Sequence, residues 1–212
     1  MEADNARLRR LLDREGVPSR LRHQLRNTLA VLRTIVRRSA ETPRDLESYV
    51  AHLEDRIDAI ARAQAAENER GAIGLHSLIS DELLRYGASE GRAVNLTGPE
   101  VELSLQVGQI FALAIHELAV NALEHGQLGA GGPVDVSWTV STDAGSRRLN
   151  LIWREPANVR DGAGVYEGFG TEILTRELPY ELKALTAFEN TTAGMQWTIS
   201  FPLGCGTQHD AP

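Results

Sequence analysis

Apolar side chains recur along the first third of the chain at steps of three and four. From Asp45 to about Glu69, Leu46, Val50, Leu53, Ile57 and Ile60 draw one apolar stripe along a helix. Upstream, between about Ser19 and Glu41, Leu21, Leu25, Leu29, Leu32, Ile35 and Val36 gather on one side of another helix. Ser19 is a candidate N-cap for it, and "ETPRD" supplies its stop and the next start. Residues 3 to 15 predict a short polar helix that ends at "EGVP". Two long amphipathic helices joined by a few residues make an antiparallel hairpin. With one apolar stripe per helix it is too thin to stand alone, so it must pack on a partner chain or on the rest of this one.

After "NERGAIG" the pattern changes. "LHSLISDELLRYG" predicts a helix, "VNLTGPEVELSL" two short extended pieces around a turn, and residues 106 to 125 a long helix. "VDVSWTV", "RLNLIW" and "MQWTISF" then alternate apolar and polar side chains at period two, as half-buried strands do. Helices interspersed with antiparallel strands imply the α+β class. The expected organisation is a helical linker over residues 1–18, a helical hairpin over 19–69, an α+β domain over 70–205 and a tail over 206–212.

Composition narrows the function classes. The 212 residues, 42% apolar, suffice for a core. A single cysteine, Cys205, excludes an internal disulfide framework and a thiolate metal cluster. No stretch approaches the roughly 20 apolar residues that cross a bilayer, and "MEADNARLRR" lacks the apolar segment of a signal peptide, so a cytoplasmic location is expected. The net charge of −7 is unevenly spread: residues 1–40 carry ten arginines against four acids, and the excess of acid lies in the remainder. That basic front lacks interleaved aromatics and any DNA-reading motif, which predicts a solvated helix face and no nucleic-acid or membrane partner.

Two places carry candidate chemistry. On a helix turning about 100° per residue, His23 falls almost opposite the leucine stripe and is exposed. Arg20, Arg26 and Asn27 lie three or four positions away. Such cations disfavour imidazolium, leave a ring nitrogen free as a nucleophile, and would stabilise a phosphoryl group transferred onto it. In "AIHELAVNALEHG", Ile110, Phe111, Ala114, Ile115, Leu118 and Ala122 form the buried side, while Glu117, Asn121 and Glu124 follow a polar stripe. A carboxylate and an amide one turn apart offer oxygen ligands to Mg²⁺ bound with nucleotide phosphates; a solvated face is the bland alternative. Asn121 in a helix interior is poorly favoured and asks for a reason.

These segments carry a resemblance. "HELAVNALEHG" resembles the N box of the Bergerat-fold ATPases, and "RHQLRNTLAVL" the phosphoacceptor segment of the HWE histidine kinases. The residues that give that group its name are matched by His116 and, in "IWREP", by Trp153 and Glu155. "EGFGTEIL" is similar to the GFG box, and Gly194 in "TTAGMQWTISFPL" to the glycine before the last strand. The match runs over residues 20–203 in the family's order. It implies a dimerising helical hairpin followed by a Bergerat-type α/β sandwich, with ATP and Mg²⁺ as cofactors. His23 would accept phosphate. Glu117 and Asn121 would serve Mg²⁺ and the triphosphate, and Glu155 the adenine amino group. Gly168 and Gly170, flanking Phe169, would let backbone approach the phosphates, with His116, His125 and Trp153 in the same nucleotide site. A polar, glycine-containing stretch, "PANVRDGAGVYE", would supply a movable lid.

Two departures bear on nucleotide binding. Pro156, Ala157 and Asn158 stand where the family has two glycines and a proline, and Glu124 where it commonly has lysine, an anion set near a triphosphate. The resemblance thus implies a histidine kinase core that autophosphorylates His23 and passes the phosphoryl group to an aspartate of a response regulator. A phosphotransfer protein with a degenerate ATPase-like domain is the alternative, and a non-catalytic module that binds an acidic partner a third reading. A homodimer through the hairpin is expected, a monomer with the hairpin on its own ATPase-like domain being the other arrangement. Input would come from a sensor domain or protein outside this chain.

Overall fold

A computed structural model describes residues 25, 28, 29, 32, 33, 35–37, 45–143, 146–157 and 169–204. The expected linker over 1–18, the candidate phosphoacceptor His23, most of the expected lid, Gly168 and the tail over 206–212 lie outside the described residues.

The described residues of 25–37 are helical, as their spacing predicts. Helix α1, Leu46–Arg70, begins where Asp45 caps it: the Ser48 amide donates to the Asp45 carboxylate at 2.9 Å. It ends at Gly71, whose φ of 75° closes the last turn onto Glu67 O. A short strand β1 (Ile73–Gly74) leads into α2 (Leu75–Arg85) and then β2 (Val94–Thr97) and β3 (Glu102–Leu103). The long helix α3 (Leu105–Glu124) is followed by a single turn, α4 (Gln127–Ala130), and the strands β4 (Val134–Asp143) and β5 (Ser146–Pro156). The chain is next described at α5 (Phe169–Glu172), followed by a π-helical turn over Ile173–Glu177, α6 (Leu178–Leu182), β6 (Leu185–Thr191) and β7 (Gly194–Leu203).

β1 and β3 pair separately, and the main sheet has the order β2-β4-β5-β7-β6. The pair β2–β4 is parallel, with α3 as its crossover, and the other neighbours are antiparallel. Period-two alternation turns Val134, Val136, Trp138, Leu149, Leu151, Trp153, Trp197, Ile199 and Phe201 to one buried face. Helices α2 and α3 cover that face, Phe111 of α3 meeting Phe201 at 5.3 Å between ring centroids.

The other side of α3 is covered by α1. Ile35 from the first hairpin helix and Ile60 and Ala63 from α1 join the same core. Gln109 on α3 donates to Gln64 Oε1 at 3.1 Å and Thr28 Oγ1 at 3.3 Å, tying the three helices together. The hairpin therefore packs on the α+β part of its own chain. The stripe predicted along α1 divides in consequence: Leu53 and Ile60 face the core, whereas Leu46, Val50 and Ile57 stay exposed. Sandwiched between sheet and hairpin, α3 is buried at every position from Gly108 to Ala119. This overturns the solvated face as an account of Glu117, which is buried because α1 lies over it. Among the described residues, no helix is long and apolar enough to cross a membrane.

Candidate functional site

Two clusters form along α3, one at its middle and one at its C-terminal end. In the first, Glu117 and Asn121 lie one turn apart and α5 brings Gly170 over them. A Cβ on Gly170 would stand 2.9 Å from Glu117 Oε2 and 3.2 Å from Asn121 Nδ2, so any larger residue would push those side chains aside. Asn121 and Gly170, about 50 residues apart in sequence, thus share one place. The Asn121 side chain is half-buried and makes no hydrogen bond among the described residues. A mid-helix amide left open beside a glycine cradle fits the task of meeting phosphate or a hydrated cation.

Glu117 is engaged already. Arg56 of α1 donates from Nε to Oε1 at 2.6 Å and from Nη2 to Oε2 at 3.2 Å, and the side chains are only 5% and 4% exposed. The fork geometry of guanidinium on carboxylate is among the stronger charge-assisted pairings. Sequence spacing carried no sign of it, since the partners are 61 residues apart.

His116 points to the interface of α1, α2 and α3. Its Nδ1 lies 2.8 Å from Glu82 Oε1 and 3.1 Å from the Tyr86 hydroxyl, and Glu82 also accepts from Arg62 of α1. Burial pushes the Glu82 carboxyl up, but the hydrogen bonds and charges of His116 and Arg62 outweigh it and hold it below the ordinary value. Burial, then the negative charge of Glu82, pushes the Tyr86 phenol up. Neither Arg62, Glu82 nor Tyr86 was a candidate from the sequence.

The second cluster surrounds Glu155. Alternation along β5 turns Glu155 to the same face as Trp153, and both are buried. Glu155 Oε1 accepts from Trp153 Nε1 at 3.0 Å, and Oε2 from the Gln127 amide at 2.8 Å. Burial raises its pKa, while those two donors oppose the rise. Gln127 Nε2 in turn donates to Pro156 O at 2.7 Å, so the W-x-E strand is stitched to the loop that ends α3. Gly194, φ 133°, stands opposite Pro156 in the β5–β7 register, where a Cβ would meet Glu155 O at 2.1 Å. Its place before the last strand is therefore a steric requirement.

Of the two departures, Glu124 is half exposed, with His125 Nε2 at 3.6 Å and His52 Nε2 at 4.0 Å from its oxygens. The structure thus brings together Glu117, Asn121 and Gly170, and separately Trp153 and Glu155. His125 caps the C-terminal end of α3, and the His116 ring meets Glu82 of α2. Phe169 opens α5 beside Gly170.

Residues 20–100 match the family model described as HWE histidine kinase. The blue-light-activated histidine kinase 1 of Erythrobacter litoralis is 27% identical over 195 residues, which cover 88% of this chain and 53% of that protein. The blue-light-activated histidine kinase of Brucella ovis is 24% identical over 191 residues, covering 88% of this chain and 39% of its own. The chain thus spans about half the length, or less, of these relatives. Among solved structures, a blue-light-activated histidine kinase of Erythrobacter litoralis shares the fold with a TM-score of 0.54 and 20% identity, covering 86% of this chain and 61% of that one. The histidine kinase domain of that protein gives 0.52 at 16% identity, covering 83% and 94%. Residues 20–100 thus resemble the HWE histidine kinase model, most of the chain is similar in sequence to blue-light-activated histidine kinases, and its fold of helical hairpin and sheet-rich partner is that of a histidine kinase domain.

Proposed function

We propose that the chain is a histidine kinase core, transferring the γ-phosphoryl group of ATP to His23 and from there to an aspartate of a response regulator. The observation that carries the reading is the meeting of Glu117, Asn121 and Gly170, an acid, an open amide and a glycine cradle from two distant segments. Residues there suit a magnesium nucleotide: Asn121, and Glu117 once Arg56 is off it, would offer hard oxygen ligands, and the backbone at Phe169 and Gly170 close approach to phosphate, with Gly168 expected beside them. Among the described residues, no three His, Cys, Asp or Glu side chains converge to hold a metal unaided, as suits a cation shared with phosphates. When bound, Mg²⁺ would neutralise charge on the triphosphate.

A ring nitrogen of His23 attacks the γ phosphorus in line; the N–P bond forms as the bond to the bridging oxygen breaks, and ADP leaves. Glu117 is the acceptor for the proton that the imidazole gives up. Glu155 and Trp153 set the adenine end, through the Gln127 loop, with His125 at the margin and His116 fixing α3 from behind. The stimulus enters from a sensor outside this chain, and a homodimer forms through the hairpin.

Incubation with labelled ATP and Mg²⁺ is the test. An acid-labile label lost in His23→Ala supports the kinase. A second reading, a relay through His23 with a domain that no longer takes nucleotide, draws on Glu155, whose oxygens both accept protein donors. It is the survivor if the folded chain takes no label from ATP yet accepts phosphate from a phosphorylated receiver domain.

A further inference from the structure

Glu117 faces two claimants. On one side lies Gly170, whose backbone comes so near that a Cβ there would stand 2.9 Å from Oε2; on the other lies Arg56, which donates to both carboxylate oxygens. A carboxylate bridged this way by a guanidinium has its charge neutralised and two of its roughly four lone pairs taken, which makes it a poor acceptor for an imidazole proton and a weaker ligand for a cation. Mg²⁺ keeps several of its waters when protein bound, and a side chain 4% exposed leaves them no room.

We propose, resting on the kinase reading, that Arg56 is an autoinhibitory latch. The hairpin holds Glu117 in a resting state, and nucleotide engages the site fully only when Arg56 lets go.

The packing of α1 shows how release could occur without unfolding. Its C-terminal half is anchored: Ile60 and Ala63 are in the core, Gln64 bonds Gln109, and Arg62 bonds Glu82. Its N-terminal half is loosely seated, with Leu46 77%, Val50 41% and Ile57 37% exposed. Arg56 stands at the border between the halves. Lifting the first three turns of α1 would draw Arg56 off Glu117 while the core contacts beyond Ile60 stay closed. The second tie, from Arg62 through Glu82 to the adjacent His116, would keep α3 in register as this happens. Anything that displaces the N-terminal half of α1 would then act on Glu117 directly.

Hydrogen exchange on the full chain, with and without Mg²⁺ and a non-hydrolysable ATP analogue, tests the latch. The latch predicts that nucleotide slows exchange over residues 117–124 and 169–182 and speeds it over 50–58. If the first two segments slow while 50–58 is unchanged or also slows, the latch is wrong and the kinase reading stands. If exchange changes nowhere at saturating nucleotide, the site does not bind it and both fall. Arg56→Lys, which keeps the charge but loses the fork, gives a second readout. With native circular dichroism, it should bind a fluorescent ATP analogue in Mg²⁺ roughly three- to tenfold more tightly, because the competent state is no longer a minor one. Equal or weaker binding overturns the latch.

Discussion

Glu82 and Glu155 are both carboxyls carried into the interior, and their surroundings drive them in opposite directions. Glu82 has His116 and Arg62 against it and is held below its ordinary value of 4.5. A lowered folded value means that its contribution to stability is present above that ordinary value and disappears as pH falls through the folded one. Glu82→Gln should therefore cost about 1–3 kcal/mol at pH 7, and urea midpoints should show the gap to wild type closing as pH drops below 4.5. Glu155 has the opposite sign. Burial raises it, so its contribution is greatest below the ordinary value and is lost as pH rises through the folded one. The partner it shares its face with, Trp153, is wholly buried; Trp153→Ala should lower stability by about 3–5 kcal/mol in thermal or urea unfolding. Trp153 was legible as an inward residue because β5 alternates. That Glu155 would spend its oxygens on Trp153 and Gln127 was not, because the Gln127 amide arrives from another element.

Among elements, those with a strong period were readable before any coordinates: α1, α2, α3, β4, β5 and β7 lie where the apolar spacing puts them, within a few residues at their ends. β6 was missed. It is an edge strand with most of its side chains exposed, so it carries little alternation to detect. "EGFGTEIL" was read as a phosphate-binding box, and the helical character of Phe169–Leu182 was missed, since it breaks into two short helical pieces around a π turn. The proposed nucleotide site depends on how closely α5 can sit on α3. Gly170→Ala would force a methyl group to within 2.9 Å of Glu117 Oε2. The expected outcome is a loss of about 1–3 kcal/mol in thermal unfolding and weaker binding of a fluorescent ATP analogue. Unchanged nucleotide affinity in a folded Gly170→Ala protein would argue against a phosphate site at that cradle.

At the scale of the whole molecule, the hairpin satisfies only part of its apolar surface on its own chain. Leu25, Leu29 and Val36 from its first helix and Leu46, Val50 and Ile57 from α1 remain exposed. So much apolar surface on one helical pair is what a bundle formed by two hairpins would bury. Light scattering is expected to report a dimer, and Val50→Asp should shift the mass toward the monomer while leaving the circular dichroism spectrum unchanged. A monomeric wild-type chain at all concentrations would assign the exposed stripe to something other than a second copy.

The sequence by itself determined the elements, because helical and strand periods are local and survive without a fold. It also determined the order of the motifs and the residue types at the site. It could not decide which charged side chains would meet. Arg56 and Glu117 are 61 residues apart, and neither position differs in pattern from an ordinary solvated one until α1 is laid across α3. Tertiary packing removed that face from water, and a buried carboxylate must find a partner. Exposure, pairing and access to Glu117 were settled there, through contacts that no local pattern encodes.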